Sequence, residues 1–280
     1  MSLTYNGTDV KEIVYNGTAL KKMDYNGVTV FKKDDWSDKP YVSFIEENGK
    51  QFTLQTVSYD GTTSMKKTWN GTLYCSTDGE TWSTWNGTTQ LSSSNDGKLF
   101  MRGKNNTYFT HAIITGSNKY FRFALQSGKR IQCHGNIENL LDYETVAAGN
   151  HPTMADQCCY YMFYNCTSLT TAPDLPATTM ATSCYSDMFY ICTSLTTAPD
   201  LPATTMATSC YNSMFRGCTS LTTAPDLPAT TLNGSCYYRM FYDCTSLTGQ
   251  IHLPASVSGN SNRLQTSDIT GSSATIVFDL

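Results

Sequence analysis

Nine of the eleven cysteines fall between residues 158 and 244, and eight of these keep a 26-residue step, at 158, 184, 210 and 236 and at 166, 192, 218 and 244. Thiols in such number could hold zinc, close disulfides or fill a core. Zinc sites want paired Cys-x-x-Cys elements; here the two series lie eight residues apart, and Cys158-Cys159 is an isolated doublet. Disulfides need an oxidising compartment, and the amino terminus, MSLTYNGTDVKEI, lacks the basic start and apolar core of an export signal. We read the cysteines as free buried thiols acting as small hydrophobes, with disulfides and a metal as the alternatives.

Other chemistry is sparse. The histidines are His111, His134, His151 and His252, and only His134 has a ligand-like neighbour at i+4, Glu138. A single pair without a third ligand points to a surface or capping role. Cys133 beside His134 does not make a catalytic dyad, because adjacent strand residues point apart. Asp174, Asp200 and Asp226 recur once per 26 residues and could invite a cation, although solvated turn carboxylates explain them. We therefore assign no catalytic residue, no metal ligand and no cofactor, and expect the chain not to be an enzyme. A glycosidase could still bring two carboxylates together from distant loops.

Binding is the chemistry that the aromatic residues suggest, since aromatic faces stack on the apolar faces of sugars. Trp82 and Trp85 bracket a short polar segment and are the first candidates for exposure. Ser76 to Trp82 (STDGETW) resembles the Asp-box of sialidase propellers, but it is one residue short and occurs once; it reads as a tight turn with a tryptophan beneath it.

The elements that position these residues begin with the repeat. Met-Phe pairs at 162–163, 188–189, 214–215 and 240–241 share the 26-residue step, and Thr-Ser-Leu follows each cysteine of the second series. Fixed-period similarity of this length signals stacked coils that bury like on like. Cys184, Met188 and Cys192 share one helical face, so 184–192 is predicted as a short helix. Thr193-Ser194 turns the chain, and Pro199 and Pro202 hold the following segment extended. Three ladders of inward side chains follow: Phe163, Phe189, Phe215, Phe241; Leu169, Leu195, Leu221, Leu247; and Cys166, Cys192, Cys218, Cys244. Variation falls around them, before Met at Tyr160-Tyr161, Ser186-Asp187, Asn212-Ser213 and Tyr238-Arg239, and after Phe at Tyr164, Tyr190, Arg216 and Tyr242. Partner contacts are expected there: Tyr160, Tyr161, Tyr164, Tyr190, Arg216, Tyr238, Arg239 and Tyr242.

Upstream, residues 36–132 alternate short apolar-patterned strands with turns such as Asn48-Gly49, Asp60-Gly61, Asn70-Gly71 and Asn86-Gly87, which reads as a β-sandwich-like domain. At the start, Asn6-Gly7, Asn16-Gly17 and Asn26-Gly27 each follow a tyrosine ten residues apart, the strongest hairpin signal. Residues 1–33 are thus predicted as a β-meander too small to stand alone, packed on its neighbour or serving as an assembly anchor. QCHGNIENLL at 132–141 leads into the repeat, with Ile137, Leu140 and Leu141 inward. The organisation expected is mainly β with short helices: a meander at 1–33, the sandwich-like domain at 36–132, a solenoid of 26-residue units at 133–256 and a cap with a closing strand at 257–280.

Charge is uneven over the 280 residues. There are 16 Lys and Arg against 12 Asp and Glu in residues 1–130, and 3 against 11 in 131–280, so the carboxyl half should repel nucleic acid. No run of about eighteen apolar residues exists to insert into a membrane.

MFxxCTSLxxxPxLP, repeated across about 133–256, resembles the BspA-like leucine-rich repeats of bacterial surface proteins, and more so their shortened versions in phages and prophages of gut bacteria. The YNG start is similar to short modules of phage structural proteins. The resemblance implies a non-enzymatic protein of a virion, in a tail or head fibre, with host attachment through a surface glycan or protein. It also implies contact with other virion proteins through the amino-terminal region and a homo-oligomer, a trimer by analogy with phage fibres. The alternative is an adhesin on a bacterial cell surface.

Overall fold

The structure is a computed structural model describing residues 39–58, 67–109 and 121–279, together with the backbone of six short strands before residue 33. Those strands are β1 (Thr4–Tyr5), β2 (Thr8–Asp9), β3 (Ile13–Tyr15), β4 (Thr18–Leu20), β5 (Lys22–Tyr25) and β6 (Val28–Lys32). They pair antiparallel as β1–β2, β3–β4 and β5–β6, and among the described residues no pairing joins one hairpin to the next. The turn residues Asn6-Gly7, Asn16-Gly17 and Asn26-Gly27, like Asp60-Gly61 and His111, lie outside the described residues.

Two sheets follow. One has six strands: β7 (Val42–Glu46), β9 (Thr72–Ser76), β10 (Ser83–Trp85), β12 (Lys98–Lys104), β14 (Ile131–His134) and β15 (Leu169–Thr171), in the order β10-β9-β12-β7-β14-β15. The other has three, β11 (Leu91–Ser92), β8 (Thr53–Ser58) and β13 (Phe121–Leu125), in that order. The larger sheet is mixed, because β15 joins β14 in parallel while its other pairs are antiparallel. Alternation places Phe44 and Phe123 between the sheets, ring centroids 5.9 Å apart and perpendicular. The helix α1 (Asn139–Ala147) lies on β12, where Gly103 permits the approach: a Cβ there would collide with the Leu140 carbonyl oxygen.

Residues 157–247 require the main correction. The expected leucine-rich repeat solenoid, and with it the BspA-like resemblance, does not hold: the fold is mainly β, with mixed sheets and α1 as the one α-helix among the described residues, and no curled or closed sheet runs through the repeats. A leucine-rich repeat needs one strand per unit paired into a continuous sheet. Here, among the described residues, only the first unit contributes a strand, β15 (Leu169–Thr171), and the extended segments otherwise meet as isolated parallel bridges, Thr179–Thr205–Thr231 and Thr197–Thr223. Pro173, Pro176, Pro199, Pro202, Pro225 and Pro228 carry no N–H, so two positions in each unit cannot donate to a ladder.

The short helix expected at 184–192 is also absent. That segment is a chain of turns in which residues of positive φ recur, Tyr185 (61°), Asp187 (53°) and Ile191 (60°). The reason lies in where the hydrogen bonds go. Alternate amides close turns within a unit, such as Cys192 N–H to the Phe189 carbonyl at 3.0 Å. The amides between them leave the unit: Phe163 N–H donates to Met188, Phe189 to Met214 and Phe215 to Met240, at 2.9, 2.9 and 3.0 Å. A helix would turn every one of these bonds inward. The left-handed residues cost about 1–2 kcal/mol each, offset by satisfying buried backbone groups.

Side chains at equivalent positions consequently meet. Phe163, Phe189, Phe215 and Phe241 are wholly buried and stack with centroids 5.5, 5.5 and 5.6 Å apart. Leu169, Leu195, Leu221 and Leu247 are equally buried. Tyr185, Tyr211 and Tyr237 form a further buried row at 6.3 and 6.2 Å. In the first unit Cys159 takes the tyrosine's place, which accounts for the Cys158-Cys159 doublet. All eleven cysteines are free. Cys192, Cys218 and Cys244 donate S–H to the carbonyls of Phe163, Phe189 and Phe215 at 3.0–3.1 Å.

The stack is continuous with the sheets at one end and closed at the other. Phe123 N–H reaches the Met162 carbonyl at 2.8 Å, and the Phe123 ring lies 5.8 Å from Phe163. Beyond the last unit, Phe241 and Asp243 donate to the carbonyls of Asp268 and Thr270, beside the 3-10 turn Thr266–Ile269. Strand β16 (Gln250–Leu253) pairs in parallel with β17 (Thr275–Phe278).

Candidate binding face

The coils bring eight predicted contact residues into one strip. Tyr160 and Tyr161 meet at 4.4 Å between centroids, Tyr161 and Tyr164 at 5.2 Å, and Tyr164 and Tyr190 at 5.2 Å. Arg216 then places its guanidinium 5.0 Å from the Tyr190 ring centre and 5.2 Å from that of Tyr242. Arg239 sits 5.6 Å from Tyr242 and 5.0 Å from Tyr238. Tyr238 is the most open, at 47% exposure, and the others are half-buried. Each cation–ring contact contributes about 0.5–1 kcal/mol at such partly exposed sites, so the array is held in place without being sealed.

Two members of this region escape sequence reasoning. Arg122, on β13, lies 5.8 Å from the Tyr164 ring and extends the strip onto the sheet. Asp187 lies beneath it. Ser186, Asp187 and Ser213, expected on the variable outer surface, are buried instead, because the turn reverses twice before each Met-Phe pair. Burial raises the Asp187 carboxyl to about 6, against hydrogen bonds from Ser186 (2.9 Å) and Tyr160 and the nearby charge of Arg216. Burial, with the charge of Asp187, also raises the Tyr161 phenol to about 12, which keeps it a neutral donor.

The tryptophans do not join this strip. Trp85 is corrected from an exposure candidate to a core residue. It is 3% exposed, its ring packs on Trp69 at 5.3 Å, and its indole N–H donates to the Thr89 carbonyl. Trp82 is half-buried in a separate cluster, with the Arg102 guanidinium 4.1 Å from its ring and 4.3 Å from that of Tyr143. The turn before it is held by Asp78, whose carboxylate accepts from the amides of Glu80 and Thr81 at 2.8 and 2.7 Å; these bonds hold it well below the usual carboxylate range.

The titratable groups are otherwise scattered. His134 bonds Gln132 at 3.1 Å rather than Glu138, since no helix spans 134–138 to set up an i+4 pair. Glu138 pairs with His151 Nδ1 at 2.8 Å at the edge of a cleft of about 320 Å³ lined also by Met154 and Met180. Burial raises its pKa, offset in part by His151. Asp200 and Asp226 border a shallow groove of about 560 Å³ along Pro202, Pro228 and Pro254. Among the described residues no three His, Cys, Asp or Glu side chains come together closely enough to hold a metal ion. Burial pushes the Cys166 thiol to about 11 and those of Cys192 and Cys218 well above the ordinary range, which suits packing rather than nucleophilic attack. No helix among the described residues is long and apolar enough to cross a membrane.

Comparison with protein-family models, with curated proteins and with solved structures finds no match for this chain.

Proposed function

We propose that the protein is a non-enzymatic recognition scaffold, a structural part of a virion appendage such as a tail or head fibre, which lays the Tyr–Arg strip against a host surface. The observation that carries this reading is the continuity of the strip, with eight ring or guanidinium groups in unbroken contact from Tyr160 to Tyr238. Tyrosine and arginine supply rigid, amphipathic contact area and are enriched where proteins recognise partners. The backbone bonds between units fix the spacing of the strip before any partner arrives, which lowers the entropic cost of binding. A segment of about thirty residues buries little core by itself, so the amino-terminal strands suit attachment to other virion proteins, and oligomerisation through them would multiply weak contacts.

Labelled full-length protein applied to a panel of bacterial strains tests this. Wild type should decorate particular strains, Tyr190→Ser/Tyr242→Ser should not, and Trp82→Ser should bind as wild type does. Equal binding by the strip variant and wild type would refute the assignment of the face.

A further inference from the structure

The charge of the strip identifies the chemistry of its partner more closely. This step rests on the strip being the contact face. Residues 131–280 contain three basic side chains against eleven acidic ones, yet two of the three, Arg216 and Arg239, lie on the strip. Among the described residues neither makes a salt bridge, although Arg216 lies near enough to the buried Asp187 for their charges to interact; each is held by two tyrosine rings. A guanidinium stacked on rings keeps its N–H edge available, and that edge matches a planar carboxylate with two parallel hydrogen bonds. Arg122 extends the same pattern, with one N–H on the Phe123 carbonyl.

The rings between the cations supply flat faces for the C–H side of a pyranose. Spacing adds a third constraint. Successive units repeat at the 5.5–5.6 Å separation of the buried phenyl rings beneath, close to the length of one pyranose residue in an extended chain. A polymer with one such ring per unit and carboxylates along it meets rings and guanidiniums in register.

We propose that the strip binds a linear acidic polysaccharide of the uronic acid type, laid along the stack with about one sugar per unit and its carboxylates on Arg216 and Arg239. Calorimetric titration of the full-length chain tests this with uronate oligosaccharides (oligogalacturonate, alginate and hyaluronate fragments), a neutral maltooligosaccharide of equal length, and oligo-L-glutamate of equal charge. At least one uronate should bind, weakening as salt rises, with the neutral sugar and the oligo-glutamate roughly tenfold weaker or more. Arg216→Gln/Arg239→Gln should weaken the uronate by roughly tenfold or more. Arg216→Lys/Arg239→Lys, which keeps the charge but loses the paired edge, should fall between. Equal binding of the neutral sugar, equal binding of oligo-glutamate, no binding of any uronate, or no effect of either double variant would each overturn the inference. The strip reading itself is decided separately, by whether Tyr190→Ser/Tyr242→Ser loses cell binding.

Discussion

Asp187→Asn should stabilise the protein at neutral pH, although it removes a charged residue. The wild-type carboxyl is buried beneath Tyr160, and its pKa rises from 3.8 to about 6. A folded pKa above the unfolded one means that the fold favours the neutral acid. That contribution is fully present below about pH 3.8 and is lost as the pH rises through about 6. Above pH 6 the chain therefore bears the cost of a buried charge, and a rise of this size corresponds to about 3 kcal/mol. The amide keeps the shape and can still accept from the Ser186 hydroxyl, now 2.9 Å from the carboxylate. Urea denaturation followed by intrinsic fluorescence should show the variant about 3 kcal/mol more stable at pH ~8, with the two proteins converging near pH ~4. A variant less stable than wild type at the higher pH would show that ionised Asp187 supports the fold, as an ion pair with Arg216 would, and would refute the reasoning.

Phe215, stacked between Phe189 and Phe241, should cost about 3–5 kcal/mol when replaced by alanine, read from the denaturation midpoint, whereas Tyr238→Ala, which loses one cation–ring contact, should cost about 1 kcal/mol at most. Ile191, a β-branched residue at φ 60°, should yield about 1 kcal/mol of added stability as Ile191→Asn, since asparagine tolerates that conformation; a loss in thermal denaturation would count against the turn geometry. With ten thiols buried and Cys75 half-buried, brief treatment of native protein with N-ethylmaleimide should label Cys75 at most, and unfolded protein should label all eleven by mass spectrometry. Unlabelled cysteines after unfolding would reveal disulfides.

The period of the carboxyl half is plain in the amino acids because equivalent positions must accept the same shapes. The conformation of each coil is not. Cys184, Met188 and Cys192 are spaced as on a helix, yet the same spacing serves a chain of alternating turns, and residues such as Tyr185 do not announce left-handed backbone. One hint was available: position 165 and its equivalents read Asn165, Ile191, Gly217 and Asp243, three of which favour positive φ. The absence of a curled sheet was latent in the prolines of each unit, whose missing donors confine pairing to isolated bridges. The tyrosines of the strip were legible as variable positions beside a fixed core, whereas the burial of Asp187 was not, because the turn that buries it depends on amides bonding to the next unit. Trp85 misled because the edge strand Ser83–Trp85 turns its last residue inward.

Units bonded backbone to backbone at alternate residues set the spacing of the strip. Hydrogen exchange of single amides tests this bonding most directly. Asn165, Ile191 and Gly217 are exposed or half-buried residues, yet their amides donate to the Tyr190, Arg216 and Tyr242 carbonyls at 2.8 Å. These three should exchange as slowly as the buried Phe189 and Phe215 amides, through opening of the whole stack. Exchange near the rate of free turns at Asn165, Ile191 and Gly217 would show that the units are not bonded to one another at these residues.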